Sequence, residues 1–171
     1  MEKLYNEIFK MKTLLRRGWV LTNSPDKATA RYESDAEHVF SVAMLALAII
    51  SKENLKLDME KVFKMIMYHD LCEIDAGDHT IVDSITKQEK FDLEQKCIDR
   101  LASEYDMPEI KSIWHEFEEN STPEAQFVKK IDKLDAIMQS KIYSKQKGDS
   151  ALFDEFYGNG KNLVGDFKKY V

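Results

Sequence analysis

Apolar residues along this chain recur at spacings of three and four, and nowhere alternate with polar ones over the length of a strand. That period marks helices with one buried face. A first helix is predicted from about Lys3 to Leu15, stopping before Arg16-Arg17-Gly18. A loop from about Trp19 to Glu33 follows, with Asn23-Ser24-Pro25-Asp26 as its turn cluster. Ser34 or Asp35 caps a helix through about Ser51, and Asp58 caps another, predicted to continue into the Glu73–Asp75 region up to Gly77. Thr86-Lys87-Gln88-Glu89 has capping-box spacing and opens a helix to about Tyr105. A shorter helix covers about Pro108 to Glu119, and Thr122-Pro123 starts a long one, proline being suited to the first helical position. A last helix spans about Ser150 to Phe156, with a loosely patterned tail from Gly158. The expectation is an all-α chain, and with no repeat, linker or low-complexity stretch, residues 1–171 read as one domain.

Several of these apolar stripes carry a polar residue that belongs to them by phase. His38 begins the stripe continued by Val42, Leu45 and Ile49. Val62, Ile66, His69 and Glu73 fall at spacings of four, three and four, with Asp70 on the border of the same face. Val128, Asp132 and Asp135 form a third set. Charges that point inward among helices are costly unless paired or bound to a metal. His38, His69, Asp70 and either Asp132 or Asp135 thus make a candidate ligand set that converges from distant segments. Two imidazoles and two carboxylates without thiolate suit Mn, Fe, Co, Ni or Zn, with Mg possible, in a non-structural site. A single divalent ion so held has positions left for water and a phosphate oxygen, lowers the water's pKa and neutralises phosphoryl charge.

Bulk properties narrow the partners. At 171 residues, 43% hydrophobic and 33% charged, the chain can bury a substantial core. A net charge of −6 argues against a nucleic-acid surface, so a small anionic substrate would be drawn by local cations and metal. The longest apolar run, Val39 to Ile50, is too short to span a bilayer, and the start lacks the apolar core of a secretion signal. Cys72 and Cys97 make no metal motif, and Cys72 reads as a small buried apolar residue; a reducing cytoplasm fits this usage.

Around the candidate ligands stand further groups. Glu73, one helical turn from His69-Asp70, is placed to act as acid or base, or to orient a ligand. Asp78 follows Gly77, which lets the backbone turn tightly beside a ligand. Arg16 and Arg17 offer planar forks for phosphate and Trp19 a wall for a sugar or base, although arginines at a helix end also pair with its dipole. Of the lysines near Asp132, Lys133 is the candidate phosphate contact. His79 and His115 stay outside the predicted metal shell.

The blocks Arg17-Gly18-Trp19-Val20, Glu33-Ser34-Asp35-Ala36-Glu37-His38, Tyr68-His69-Asp70-Leu71-Cys72-Glu73, Ala76-Gly77-Asp78, Trp114-His115-Glu116-Phe117-Glu118 and Thr122 to Leu134 resemble the HD-domain metal-dependent phosphohydrolases, whose pattern is H…HD…D. The match runs over about 14–157 and looks like the small single-domain branch with the bacterial 5′-deoxynucleotidases and their eukaryotic relatives. The resemblance implies an all-helical homodimer that removes the 5′-phosphate from deoxyribonucleoside monophosphates. It also implies metal ligation by His38, His69, Asp70 and Asp132, catalysis near Glu73 and Asp78, and substrate contacts at an Arg before Trp19 and at Trp19. In the bacterial enzymes Arg and Trp are adjacent, whereas here Gly18 intervenes, and both Arg16 and Arg17 remain candidates. Hydrolysis of cyclic, tri- or tetraphosphate nucleotides and a non-catalytic regulatory module are the rival readings. Binuclear HD variants need further histidines than the four present.

Overall fold

The computed structural model describes residues 1–80 and 83–171. Its helices are α1 (Glu2–Thr13), α2 (Arg17–Leu21), α3 (Asp35–Glu53), α4 (Met59–Tyr68), α5 (Glu73–Ala76), α6 (Lys87–Glu104), α7 (Pro108–Glu119), α8 (Pro123–Lys147) and α9 (Ala151–Gly160), closed by a 3₁₀ turn over Gly165–Tyr170. Among the described residues there is no strand, only an isolated bridge between Leu15 and Ser34. The architecture is the all-α one expected.

Helix starts follow the side chains available to accept the first free N–H groups. Ser34 and Thr86 form reciprocal capping boxes with Glu37 and Glu89, while Asp58 and Thr122 cap through their own oxygens. The long α8 runs through the middle and packs against α3, α4, α7 and α9. Val42, Ala46, Val62, Ile66, Val128, Ile131 and Leu134, from α3, α4 and α8, are wholly buried. At about 1.5–3 kcal/mol for each large side chain removed from water, this layer is the main stabilising term. A second cluster joins Cys72 to α6 and α7 through Cys97, Ile98, Leu101, Ile110 and Trp114.

Three expectations are corrected. The predicted loop from Trp19 contains the end of a short helix, α2, placed by the backbone bond from Arg16 N–H to Glu33 C=O at 2.8 Å. The helix expected to run through Glu73 stops at Tyr68, and α5 restarts at Glu73. Between them Leu71, Glu73 and Ile74 donate to carbonyls three residues back, the tighter 3₁₀ pattern, which re-aims Asp70 without a proline or glycine. At the other end, α9 extends to Gly160, and the tail is ordered on the core: Val164 is fully buried, and Phe167 and Tyr170 pack beside it. A carbon added at Gly160 would lie 2.8 Å from Ile137 Cδ1, so only glycine lets α9 approach α8 there.

Among the described residues no helix is long and apolar enough to cross a membrane. Both cysteines are free and buried.

Candidate metal centre

α3, the α4–α5 link and α8 bring their inward polar residues to one point. His38 is in the first turn of α3, His69 is the C-cap of α4, and Asp132 is a buried residue of α8 directly after Ile131. His38 Nδ1 lies 2.8 Å from Asp135 Oδ2, and His69 Nδ1 lies 2.8 Å from the Ile66 carbonyl. A carbonyl only accepts, so Nδ1–H of His69 donates and its Nε2 keeps the lone pair. An ionised Asp135 fixes His38 in the same sense. Both Nε2 atoms are buried with no hydrogen-bond partner among the described residues. They converge on carboxylates: Asp70 Oδ2 is 3.6 Å from His38 Nε2 and 3.3 Å from His69 Nε2, and Asp132 Oδ1 is 3.3 Å from His38 Nε2. His38, His69 and Asp70 each offer a ligand atom within 4.8 Å of the others. Two orphaned imidazole nitrogens facing two carboxylates fit a divalent cation of borderline or hard character.

The charges respond to this crowding. Burial and Arg16 push the His38 imidazole down, but Asp132, Asp135 and Asp70 outweigh them and raise it to about 10. Burial would raise Asp70, yet His69 and Arg16 hold it below the usual carboxylate range. Burial, reinforced by Asp70, pushes Glu73 well up, and its Oε2 has no hydrogen-bond partner among the described residues. Lys133 Nζ sits 3.0 Å from Asp132 Oδ2 and is raised by it.

The two arginines part company. Arg16 turns inward, its Nη1 donating to Asp70 Oδ2 at 3.1 Å and lying 3.7 Å from Glu73. Arg17 points outward and clasps Asp83 with Nε and Nη2, while its backbone N–H donates to Asp78 Oδ2 at 2.7 Å. Gly77, with φ of +81°, makes the turn that delivers Asp78 there. Trp19 stands away from the expected position beside a sugar. It is buried, stacked on Phe156 at 4.6 Å, edge-on to Tyr143, and donates from Nε1 to Glu33 at 2.6 Å. The reason is the short α2, which carries Trp19 into the core beside α8 and α9.

A cleft of about 910 Å³ opens over the centre. Arg16, His69, Asp70, Glu73, Asp78, Asp132 and Lys133 line its floor, whereas Trp19 and Arg17 do not line it. Phe91, Trp114 and Phe117 form an aromatic wall, and Lys87, Lys90, Lys129 and Lys130 ring the mouth. Two participants, Asp35 and Glu94, escaped the sequence reading as site residues, and a third, Asp135, has a different role from the ligand candidate it was there. Asp135 is the hydrogen-bond partner of His38, Asp35 is buried beside Arg16, and Glu94 lines the cleft with Lys90 Nζ at 3.4 Å from its Oε1. The spacing of three between Asp35 and His38 is the signal that could have found Asp35; for Glu94 on the polar α6 there is none.

This placement of H, HD and D residues around one inward point, in an all-α fold, defines a class. The HD-domain sequence profile matches residues 8–170, and the chain belongs to the HD-domain family. It is 37% identical over 155 residues to the 5′-deoxynucleotidase HDDC2 of Dictyostelium discoideum, covering 83% of this chain and 78% of that one. With the human 5′-deoxynucleotidase HDDC2 it shares 30% identity over 86% of this chain and 70% of the other. Among solved structures, a predicted metal-dependent phosphohydrolase from Magnetospirillum magnetotacticum superposes with a TM-score of 0.68 at 26% identity, over 98% of this chain and 87% of that one. A conserved hypothetical protein from Pyrococcus furiosus does so at 0.79 and 27% identity, over 99% and 94%.

Proposed function

We propose that this protein is a metal-dependent phosphohydrolase that removes the 5′-phosphate from deoxyribonucleoside monophosphates, with His38, His69, Asp70 and Asp132 holding one divalent cation at its core. The observation that carries this reading is the pair of buried, unpartnered Nε2 atoms of His38 and His69 aimed at Asp70 and Asp132. When bound, such an ion lowers the pKa of water and offsets charge on the phosphoryl group. Arg16 offers a guanidinium fork to the phosphate oxygens from the cleft floor, and Lys133 a point charge. Glu73, held protonated more readily than an exposed carboxylate, can keep a proton near the leaving oxygen or take one from water. Asp78 borders the same floor as its partner in that proton traffic. The cleft falls within the size range of pockets that enclose small ligands, and its aromatic wall suits a base.

Since Trp19 is enclosed elsewhere, selection against a 2′-hydroxyl falls in this reading to the cleft walls, at about ten- to a few-hundred-fold. The resemblance to small HD enzymes further supports one domain over 1–171, a homodimer, and a cytoplasmic location. The test is phosphate release from deoxy- and ribonucleoside 5′-monophosphates, 3′-monophosphates, cyclic nucleotides and triphosphates, using protein loaded with Mn, Co or Mg. Turnover is expected on 5′-monophosphates, fastest on the deoxy series, and His69→Ala should abolish both metal and turnover. Preferred cleavage of cyclic or triphosphate substrates, or a His69→Ala variant with full metal content, overturns the proposal.

A further inference from the structure

The cleft holds a buried acid that the chemistry above leaves unused. Glu94 is 8% exposed and faces the cleft from α6, an element that supplies none of the proposed ligands. Among the described residues Lys90 is the one cation within 4.0 Å of it, with Nζ 3.4 Å from Oε1, longer than a good hydrogen bond. An ionised carboxylate has about four lone-pair positions, so Glu94 keeps most of its accepting capacity. Burial pushes its carboxyl up, and Lys90 opposes that push. The competing account makes Glu94 the helical partner of Lys90 and nothing more. Such pairs contribute little on an exposed helix face, and desolvating the acid opposes even that.

Its position shows what a free acceptor there would meet. Lys87, Lys90, Phe91 and Glu94 share one face of α6, and all four line the cleft. Of the aromatic residues in the wall, Trp114 and Phe117 are buried, and Lys129 Nζ lies over the Phe117 ring at 4.1 Å. Phe91 is half-buried, its ring centroid 5.4 Å from that of Trp114, and it is the ring with open surface. A base stacked on Phe91 has Lys90 and Glu94 within one helical turn of its edge. The carboxylate repels phosphate, which Arg16 and Lys133 draw to the floor instead.

We propose that Glu94, together with Lys90, reads the base in this cleft and selects guanine. This rests on the reading of the protein as a hydrolase of nucleoside 5′-monophosphates. On its pairing edge guanine alone among the four bases carries two adjacent donors, N1–H and the 2-amino group, which match the two oxygens of a carboxylate. Its O6, beside N1–H, accepts from the Lys90 ammonium. Adenine and cytosine offer the carboxylate one amino group each, and thymine a single N3–H flanked by two carbonyl oxygens that repel it. A site built around such contacts discriminates against a base that leaves them unmade.

The test compares kcat/KM for dGMP, deoxyinosine 5′-monophosphate and TMP in wild type and in Glu94→Gln, whose amide sets a donor against a donor. The inosine nucleotide differs from dGMP only in lacking the 2-amino group. Wild type should favour dGMP over TMP about ten- to a hundredfold, the scale of a bidentate base contact, with the inosine nucleotide between them. In Glu94→Gln, shown to be folded by circular dichroism, the three values should converge. A Glu94 that only supports α6 would lower all three together and keep their ratios; that result, or equal values in wild type, overturns the inference and leaves the hydrolase standing. Calorimetric titration with deoxyguanosine and thymidine gives a second readout, since neither carries a phosphate. Deoxyguanosine should bind wild type more tightly, and Glu94→Gln should not distinguish the two. Absence of turnover on every 5′-monophosphate overturns the function proposed above. The nucleoside titration then decides on Glu94 by itself, and equal affinity or no binding of either overturns its role.

Discussion

Two buried polar regions lie on either side of Arg16 and Arg17, and they are built on opposite terms. In the corner around Trp19, the indole N–H meets Glu33, the ring is stacked on Phe156 and edge-on to Tyr143, and Tyr32 packs beside them. Around His38 and His69, two imidazole nitrogens, both oxygens of Asp35 and one of Glu73 find no hydrogen-bond partner among the described residues. Buried polar groups are ordinarily satisfied, so the first region reads as scaffold and the second as a place that waits for something from outside the chain. A tryptophan and a glutamate can therefore belong to a motif shared with enzymes and still serve the fold, while the orphaned atoms mark the chemistry.

The sharpest way to break this contrast is at Glu73. Glu73→Gln is expected to retain the cation held by His38 and His69 yet lose about a hundredfold or more in kcat, since proton transfer by a placed side chain contributes on that scale. Near-normal kcat in this variant would move Glu73 from the chemistry to its support.

Arg16 and Arg17 sharpen it next. Arg16→Ala should raise KM for a 5′-monophosphate about ten- to a hundredfold, the value of a charge-assisted contact to phosphate, whereas Arg17→Ala should leave both KM and kcat nearly unchanged. Steady-state kinetics of the pair decides it, and an equal effect from both would erase the distinction between inward and outward arginine.

On the scaffold side, Trp19→Phe should cost about 1–3 kcal/mol of stability, because the Glu33 carboxylate is left buried without its donor. Denaturant titration measures this, and the ratio of deoxy to ribo turnover should hold. A collapsed ratio would return Trp19 to substrate selection.

The smallest effect concerns protons. His38 is raised from an ordinary 6.5 to about 10 in the metal-free protein, so its contribution to stability is full below pH 6.5 and lost as pH rises through 10. Metal binding requires the neutral imidazole, so at pH 8 it should release protons. Calorimetry in buffers of differing ionisation enthalpy reads this number, and a value near zero would mean that His38 is already neutral.

How much of this was legible beforehand depended on whether local rules decide it. Helix starts were readable because Ser34, Asp58, Thr86 and Thr122 cap through their own side chains. The phases of His38, His69 and Asp132 on apolar stripes were readable for the same reason. The break at Tyr68 was not, since Leu71 and Glu73 tighten the chain there without any breaker residue. Nor was the parting of Arg16 from Arg17, which depends on the long-range pairing of Arg16 with Glu33 and of Leu15 with Ser34. By sequence Asp35 is a candidate cap at a helix start, and only the packing of Arg16 and Glu73 against α3 makes it interior.

Gly160 has a reach beyond its own helix. The hydrogen it presents to Ile137 occupies space that a methyl group would need, and Ile137 is itself enclosed in the core. Ile137 lies on α8 about one and a half turns past Asp132 and about half a turn past Asp135, so one short stretch of the same helix carries both this contact and the chemistry. A single carbon introduced at a position far from any substrate would thus be transmitted as a misalignment of Asp132. In this molecule the tolerance of the active centre is set partly by the smallest side chain in a segment that never approaches it.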